Sequence, residues 1–445
     1  MTGGPRSPLY RNGLALACSA GLSALLGAGY WALAAHTARR ASVGEATALV
    51  SAMTALSLIG QLNLGNALTA FLPRAGYHRF RIVLGSYLGS VCLSVLLGAG
   101  FALVAPRISP AFEILAHIGM VVGFALSVGV WTLFVMQDSV LAALRRASWV
   151  PMENIVFNVI KFLLLLAFGG GSVLALCGAW IIPAGIAVVA VSWLLFRHFL
   201  PTGTTPAPDT SPRNFRRFLA GEGITMIFER VGVTLVPLLV VVMVGPAAGA
   251  PFALSWMIMQ ALEALIFGFG LSLIVEGAQA EADVVTMHRE LRRRALLGVA
   301  AIVLAAEIGA PLLLRIFGAG YQEDATAVFR LLLLGPLPAT IVILGVSTAR
   351  AQRRIRRIVG VHLSIALLVP AGAVLLGHLY GVVGVGAAWL AVQAIVATAV
   401  LLTEPGEQRS SSPIRAFRLV PAEPLVVHAP VGSEAPNSAV GRHPD

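Results

Sequence analysis

The chain has 445 residues, of which 58% are hydrophobic and only 11% carry a charge. A soluble chain of this length needs more charge to cover its surface, so the composition excludes that class and indicates a polytopic membrane protein. The formal net charge of +11 does not indicate nucleic-acid binding, because the arginines form short clusters between apolar runs.

Apolar runs recur along the chain at about the 20-residue length of a helix that crosses a bilayer. They predict an all-α protein with twelve spanning helices joined by short loops. The first run is longer than the apolar part of a usual signal peptide, so we expect it to be retained. The predicted spans are 12–35, 44–72, 82–105, 113–142, 151–169, 173–197, 217–244, 250–275, 295–317, 326–349, 358–379 and 382–403.

Arginines in the loops predict the orientation. With the N-terminus in the cytoplasm, twenty arginines fall in cytoplasmic loops and five fall in outer loops. Positive charge concentrates on the cytoplasmic side of membrane proteins. We therefore expect a multi-pass protein of the plasma membrane, the inner membrane in a bacterium, with both termini in the cytoplasm.

Two segments lack membrane character and divide the chain into predicted domains. Residues 201–213 are rich in Pro and Thr and read as a cytoplasmic linker. Residues 404–445 have no hydrophobic periodicity and read as a disordered cytoplasmic tail. The division gives an N-terminal lobe of six helices over 1–200 and a C-terminal lobe of six helices over 214–403.

A polar face on the fifth predicted span is the first candidate site. Asn154, Asn158 and Lys161 recur at helical spacing within an apolar segment, after the basic turn at Arg145 and Arg146. Lys161 is the only lysine in the chain. A cation at membrane depth is costly, so this face predicts a functional site.

Other charged residues also fall at membrane depth. Together with Lys161 they favour a hydrated central pathway, since each one costs several kcal/mol at the bilayer centre. The alternative is internal ion pairs that fix helix packing, with Lys161 bound to Asp138 or Glu153 and Arg230 bound to Glu263 or Glu307. The other deep residues are Asp138, Glu229, Arg230, Glu263 and Glu307.

Motifs for other chemistry are missing from the sequence. The only lysine follows Ile160 rather than glycine, so the chain has no phosphate-binding loop for ATP, and we expect no ATP-driven step. There is no Ser/His/Asp set, no HExxH sequence and no metal-ligand spacing around the three cysteines. The sequence therefore predicts a protein that is not an enzyme and that has no cofactor and no metal site.

Several stretches together resemble polysaccharide-biosynthesis flippases of the multidrug/oligosaccharidyl-lipid/polysaccharide (MOP) superfamily, including the Wzx type. Each motif is loose, and their order along residues 10–403 carries the resemblance. The stretches are Arg11-Asn12-Gly13-Leu14, residues 61–74 around Gly65-Asn66, residues 138–146 with Asn154 and Lys161 downstream, and residues 381–389.

The resemblance implies a V-shaped, MATE-like pair of six-helix lobes that alternate access across the membrane. It implies transport of an undecaprenyl-diphosphate-linked oligosaccharide, a precursor of lipopolysaccharide or exopolysaccharide, whose lipid tail stays among the membrane lipids. In that family a cationic cavity is thought to hold the anionic headgroup. The expected partners beyond lipid are polysaccharide-assembly proteins, and we expect a monomer that binds no nucleic acid.

The site residues follow from this interpretation. Lys161 and Arg230 would hold the phosphates beside Asn154 and Asn158, with Arg39 and Arg40 at the outer mouth. The candidates for coupling to an ion or proton are Glu229, Glu263, Glu307 and Asp138.

Two other functions stay open. One is a cation-coupled multidrug exporter, although residues 12–35 lack the acidic residue that such exporters often carry in their first helix. The other is a non-transporting scaffold for cell-wall or polysaccharide assembly, recruited through residues 404–445. The count of twelve helices argues against lipid II flippases, which typically have fourteen.

Overall fold

The computed structural model describes residues 26–146, 148–168, 171–200, 233–279, 284–351 and 354–403. Within these residues the chain forms helices and no β-strand. The helices are α1 (26–37), α2 (Arg40–Gln61), α3 (Leu64–Phe71), α4 (Arg79–Ile108), α5 (Ile118–Ala143), α6 (Trp149–Phe168), α7 (Val173–Leu194), α8 (Val236–Val244), α9 (Pro246–Gln279), α10 (Val284–Arg315), α11 (Ala319–Leu334), α12 (Pro336–Ala351) and α13 (Ile355–Leu402).

Eight helical stretches among the described residues are long and apolar enough to cross a membrane. Large apolar side chains on several of them are exposed, including Leu96 on α4, Ile118 on α5 and Ile308 on α10. A soluble protein does not expose apolar surface on this scale, whereas lipid would cover it. The predicted class, an all-α polytopic membrane protein, is confirmed.

Two predicted spans are interrupted in the structure. The span 44–72 breaks between α2 and α3, where Leu62 (φ 47°) and Asn63 (φ 61°) adopt the left-handed conformation. Asn tolerates this conformation, but Leu rarely adopts it. The apolar pattern continues through Leu62, so the sequence does not reveal the break. The span 326–349 loses helical hydrogen bonding only locally, between α11 and α12, where Pro336 cannot donate, and it remains one membrane-length apolar stretch.

Helix α13 contains two of the predicted spans, 358–379 and 382–403. Gly381 lies between them with φ 61° and ψ −145°, outside the helical region. A glycine adopts this conformation without the steric cost that a Cβ would impose. The chain therefore turns at this glycine, where the sequence predicts the boundary.

The helices form two halves that meet along α2. We call α1–α7 the first half and α8–α13 the second half. Helix α2 packs against α4 and α5 of the first half and against α8 and α9 of the second half. One close approach is at Gly44, where a Cβ would collide with the carbonyl group of Pro246. The predicted linker 201–213 and tail 404–445 lie outside the described residues, so the domain boundaries stay predictions.

The predicted topology defines an inner, cytoplasmic end and an outer end of the bundle. The inner end contains the turn between α5 and α6, at Arg145 and Arg146. The outer end contains the turn between α1 and α2, at Arg39. This orientation is a prediction from the arginine distribution.

Candidate functional site

Lys161 lies in the middle of α6 and is 1% exposed. Its Nζ is 4.1 Å from the ring centroid of Trp180 on α7 and 4.9 Å from the ring centroids of Tyr30 on α1 and Phe157 on α6. We call these three rings the aromatic box. An ammonium group within about 6 Å of an aromatic face is attracted to it, by about 2 kcal/mol or more where water is excluded.

Local contacts hold the walls of the aromatic box. The Tyr30 hydroxyl donates a hydrogen bond of 2.7 Å to the carbonyl oxygen of Leu176 on α7. The Tyr30 ring packs edge-on against Trp180 with centroids 5.4 Å apart. Ser172 precedes helix α7, and its Oγ accepts a hydrogen bond from the backbone N–H of Ala175, an arrangement that caps the helix. The box therefore depends on the packing of α1, α6 and α7.

The ion pairs considered for Lys161 are not formed. Among the described residues, no carboxylate oxygen lies within 4.0 Å of its Nζ. Asp138 lies near the inner end of α5, and Glu153 is buried near the inner end of α6 with neither carboxylate oxygen hydrogen-bonded. The ammonium group of Lys161 is thus surrounded by aromatic rings and has no anionic partner in the part of the chain that the structure describes.

Asn154 and Asn158, which belong to the polar face predicted on the fifth span, lie on α6 towards its inner end. Asn154 is partly buried and its Nδ2 donates to the carbonyl oxygen of Val150, while Asn158 is buried and its Nδ2 donates to the carbonyl oxygen of Asn154. Both amides therefore bond to the backbone of their own helix. Their carbonyl oxygens stay available as acceptors, since these hydrogen bonds occupy only the amide nitrogens.

Charged residues predicted in the second half are distributed over two helices. Glu263 on α9 has a buried carboxylate oxygen without a hydrogen-bond partner. Glu307 on α10 has its Oε2 3.9 Å from Nε of Arg330 on α11, which is 54% exposed. Arg230 and Glu229 lie outside the described residues, so their roles and the predicted pairs of Arg230 stay predictions.

The two arginines predicted at the outer mouth differ in their environments. Arg39 is exposed, whereas Nη1 of Arg40 lies 2.6 Å from Oδ2 of Asp324 on α11. The Arg40 guanidinium also lies over the ring of Tyr321, 4.9 Å from its centroid. We call Arg40, Tyr321 and Asp324 the outer latch. It joins the two halves, and a Cβ at Gly320 would collide with the Arg40 guanidinium.

Sequence reasoning missed the aromatic box and the partners of Arg40. Aromatic residues in apolar helices are ordinary core residues, so Tyr30 and Trp180 carry no signal of their own. Asp324 occurs in the polar stretch Gln322-Glu323-Asp324, which reads as a loop. Within the described part of the chain, no group of three or more His, Cys, Asp or Glu side chains could hold a metal ion.

No protein-family model and no curated protein sequence matches the chain. Solved structures match its fold over most of its length. A multidrug resistance MATE family transporter of the MOP superfamily, in an inward-facing conformation, has a TM-score of 0.64 and 15% identity, covering 86% of this chain and 93% of that chain. Such a transporter in an outward-facing conformation has a TM-score of 0.57 and 15% identity, covering 88% and 93%.

A third solved structure is a MOP superfamily transporter from Pyrococcus furiosus, described by the reverse polarity of its binding pocket, which suggests a different function. It has a TM-score of 0.56 and 15% identity, covering 88% of this chain and 93% of that chain. These likenesses show that the chain has the two-lobe, twelve-helix fold of MATE transporters of the MOP superfamily. The predicted fold is thereby confirmed.

Proposed function

We propose that this chain is a membrane transporter that moves an anionic lipid-linked oligosaccharide precursor across the bacterial inner membrane by alternating access, without ATP. The observation that carries the proposal is Lys161. It is the only lysine of the chain, and it is buried in the membrane-spanning part without an anionic partner among the described residues.

A buried charge without a counter-ion costs several kcal/mol of stability, so packing alone does not explain it. A diphosphate headgroup would supply the missing negative charge. The aromatic box would hold the ammonium group while no substrate is bound, and the carbonyl oxygens of Asn154 and Asn158 would accept hydrogen bonds from sugar hydroxyls. Arg230 stays in the proposal as a second phosphate ligand, and Arg39 as a contact at the outer mouth.

The fold supports the transport mechanism. Matching structures were solved in both inward-facing and outward-facing conformations, and the likeness is greater to the inward-facing one. An inward-facing conformation requires the outer end to be closed. The outer latch and the close approach of Gly44 to Pro246 both join the two halves. Opening towards the outside would require both contacts to separate.

A multidrug exporter is the second candidate, because two of the matching structures are described as multidrug resistance transporters. The polarity of the site separates the two candidates. Cationic drugs favour acidic or aromatic ligands, whereas Lys161 favours an anion. The description of the Pyrococcus furiosus protein shows that pocket polarity differs among transporters with this fold, which supports the anionic substrate for this chain.

The experiment compares glycan export and drug resistance in one deletion strain. Wild-type, Lys161→Met and Lys161→Arg proteins are expressed at matched levels, with Arg315→Gln as a control because Arg315 is an exposed cation at the end of α10. We expect Lys161→Met to reduce surface glycan to the level of the deletion strain. Lys161→Arg should retain part of the activity, and Arg315→Gln should match the wild type.

The same strains are tested for drug susceptibility. If Lys161→Met exports glycan at the wild-type level, the headgroup role of Lys161 is wrong. If deletion changes drug susceptibility while the glycan stays intact, the protein is a multidrug exporter. If only truncation before residue 404 abolishes glycan assembly, while the Lys161 variants function normally, the scaffold hypothesis is favoured.

A further inference from the structure

Arginines and aromatic rings lie together at the inner end of the first half. Three membrane-length stretches have their inner ends there, and they are Ile118–Ala143, Trp149–Phe168 and Val173–Phe199. The last of them continues beyond α7 through a π-helical turn, Leu195–Phe199. Because the apolar stretches end at this level, the residues at their ends lie at the boundary between lipid and water.

Ring contacts join the turn between α5 and α6 to the π-helical turn after α7. The Arg146 guanidinium lies over the ring of Phe199, 5.0 Å from its centroid. The Trp149 ring packs edge-on against the same Phe199 ring, with centroids 6.1 Å apart. In the same region, Trp193 packs edge-on against His198, with centroids 5.4 Å apart. Arg146 is therefore held by a ring that also packs against the start of α6.

The turn between α5 and α6 has a defined backbone geometry. The N–H of Arg146 donates to the carbonyl oxygen of Leu141 at 2.8 Å, and the N–H of Arg145 donates to that of Ala142 at 3.1 Å. These two bonds form the Schellman motif that ends many helices, with Arg145 at the left-handed position, φ 59°. The backbone of both arginines is therefore fixed relative to the end of α5.

Three exposed arginines of this region carry positive charge without a described counter-ion. We call Arg145, Arg146 and Arg197 the basic rim. Among the described residues, no carboxylate oxygen lies within 4.0 Å of their guanidinium nitrogens. The nearest acidic residues along α5 and α6 are Asp138, which is partly buried, and Glu153, which is buried. The basic rim therefore presents its charge to the surroundings of the protein.

Exposed apolar side chains continue from the basic rim along α6 and α7, which pack against each other. Met152 and Val156 on α6 are 56% and 46% exposed, and Val189 and Trp193 on α7 are 71% and 62% exposed. In a spanning helix, lipid chains cover such side chains. An exposed tryptophan near the end of a span is typical of the headgroup level of a membrane. The basic rim therefore adjoins a surface that lipid covers.

We propose that the basic rim binds the headgroup of an anionic phospholipid, whose acyl chains lie along the exposed faces of α6 and α7. Phosphate oxygens accept hydrogen bonds from guanidinium groups, and one arginine can bind two of them. Basic residues between the ends of spanning helices bind such headgroups in other membrane proteins. The contact with Phe199 holds Arg146 in place for this role. The site needs neither Lys161 nor transport, so it is independent of the proposed function.

The experiment measures lipid binding by the purified full-length protein, using native mass spectrometry. Protein in detergent is mixed with phosphatidylglycerol, or with phosphatidylcholine that has the same acyl chains. We expect the wild type to retain phosphatidylglycerol about tenfold more strongly than phosphatidylcholine. The double variant Arg146→Gln with Arg197→Gln should lose that preference. Phe199→Leu should weaken phosphatidylglycerol binding about threefold, because it removes the ring that holds Arg146.

Arg354→Gln with Arg356→Gln is the matched control. It removes the same charge from two exposed arginines at the start of α13, also at the predicted inner end, and it should bind phosphatidylglycerol like the wild type. Equal losses in the two double variants would overturn the proposal, because loop charge alone would then attract the lipid.

Two other results would also overturn the proposal. One is equal retention of the two lipids by the wild type. The other is unchanged retention of phosphatidylglycerol by Arg146→Gln with Arg197→Gln, which would leave the basic rim to another ligand, such as an acidic protein segment. The Tm of every variant is measured in parallel. If the double variant does not fold, Arg197→Gln alone and Phe199→Leu decide.

Discussion

Two charged sites, one in each half of the bundle, differ in burial and pairing. In the first half, Lys161 and Glu153 are both more than nine-tenths buried and form no ion pair among the described residues. In the second half, Glu307 lies 3.9 Å from Arg330, whose side chain is 54% exposed. An exposed pair of this kind contributes about 0–1 kcal/mol, whereas a buried unpaired charge costs several kcal/mol.

This difference separates structural charges from functional ones. The pair in the second half needs no ligand, because each charge has a partner and access to its surroundings. In the first half, aromatic rings stabilise Lys161, whereas no described group pairs with Glu153. A buried ammonium group without an anionic partner favours the binding of an anion at Lys161.

The largest expected effect is a change in stability, and it tests the contrast between Lys161 and Arg330 directly. Lys161→Met keeps most of the side-chain volume and removes the charge. We therefore expect the free energy of unfolding to stay unchanged or to rise by up to about 4 kcal/mol. Arg330→Gln should change stability by no more than about 0.5 kcal/mol. Both are measured by chemical unfolding in the same detergent. A clear loss of stability in Lys161→Met would instead make Lys161 a structural residue.

The second effect concerns how strongly the aromatic box holds the ammonium group. A double-mutant cycle of Lys161→Met with Trp180→Leu isolates that interaction from the packing of each side chain. We expect a coupling energy of about 2 kcal/mol or more, because the contact is desolvated. The same cycle with Trp193→Leu, an exposed tryptophan of α7, serves as the control. Zero coupling at Trp180 would mean that the box does not stabilise the charge.

The smallest effect concerns the outer latch. An exposed ion pair and one cation–π contact together contribute about 1–2 kcal/mol, enough to shift a two-state equilibrium about tenfold. Arg40→Asp or Asp324→Arg alone should therefore favour outward-facing molecules, and the double variant should restore the wild-type distribution. Reaction of an engineered cysteine at Gly44 with a membrane-impermeant thiol reagent measures this, in a background where Cys18, Cys92 and Cys177 are replaced.

Cysteine labelling tests the outer latch only when the variants are compared with one another. Gly44 is packed against Pro246, so the cysteine itself weakens the closed state and must be present in every variant compared. Equal labelling of all the variants would show that the latch does not control access at the outer end. Greater labelling of the double variant than of either single variant would contradict the ion pair itself.

Membrane-length apolar runs made the fold predictable from sequence, because a bilayer imposes one helix length on every span. Gly381 likewise marked a boundary through its backbone freedom. The break at Leu62 and Asn63 was not predictable, since an apolar pattern continues through it. Lys161 stood out because cations are rare at membrane depth, whichever partner it has.

The long-range contacts could not be predicted from the sequence. Tyr30 and Leu176 are 146 residues apart, and Arg40 and Asp324 are 284 residues apart. Neither pairing follows from the spacing within one helix. Asp138 and Glu153 were both considered as partners of Lys161, but among the described residues no carboxylate oxygen lies within 4.0 Å of its Nζ.

The aromatic box also makes Lys161 optically observable without a label. Its ammonium group lies 4.1 Å from the Trp180 ring, and Trp31 and Trp131 have ring centroids 5.7 Å and 6.0 Å from that of Trp180. A nearby charge shifts indole emission, and closely packed indoles couple in near-ultraviolet circular dichroism. An anion that draws Lys161 out of the box would therefore change the tryptophan spectrum of the native protein, which provides a direct signal for screening substrates.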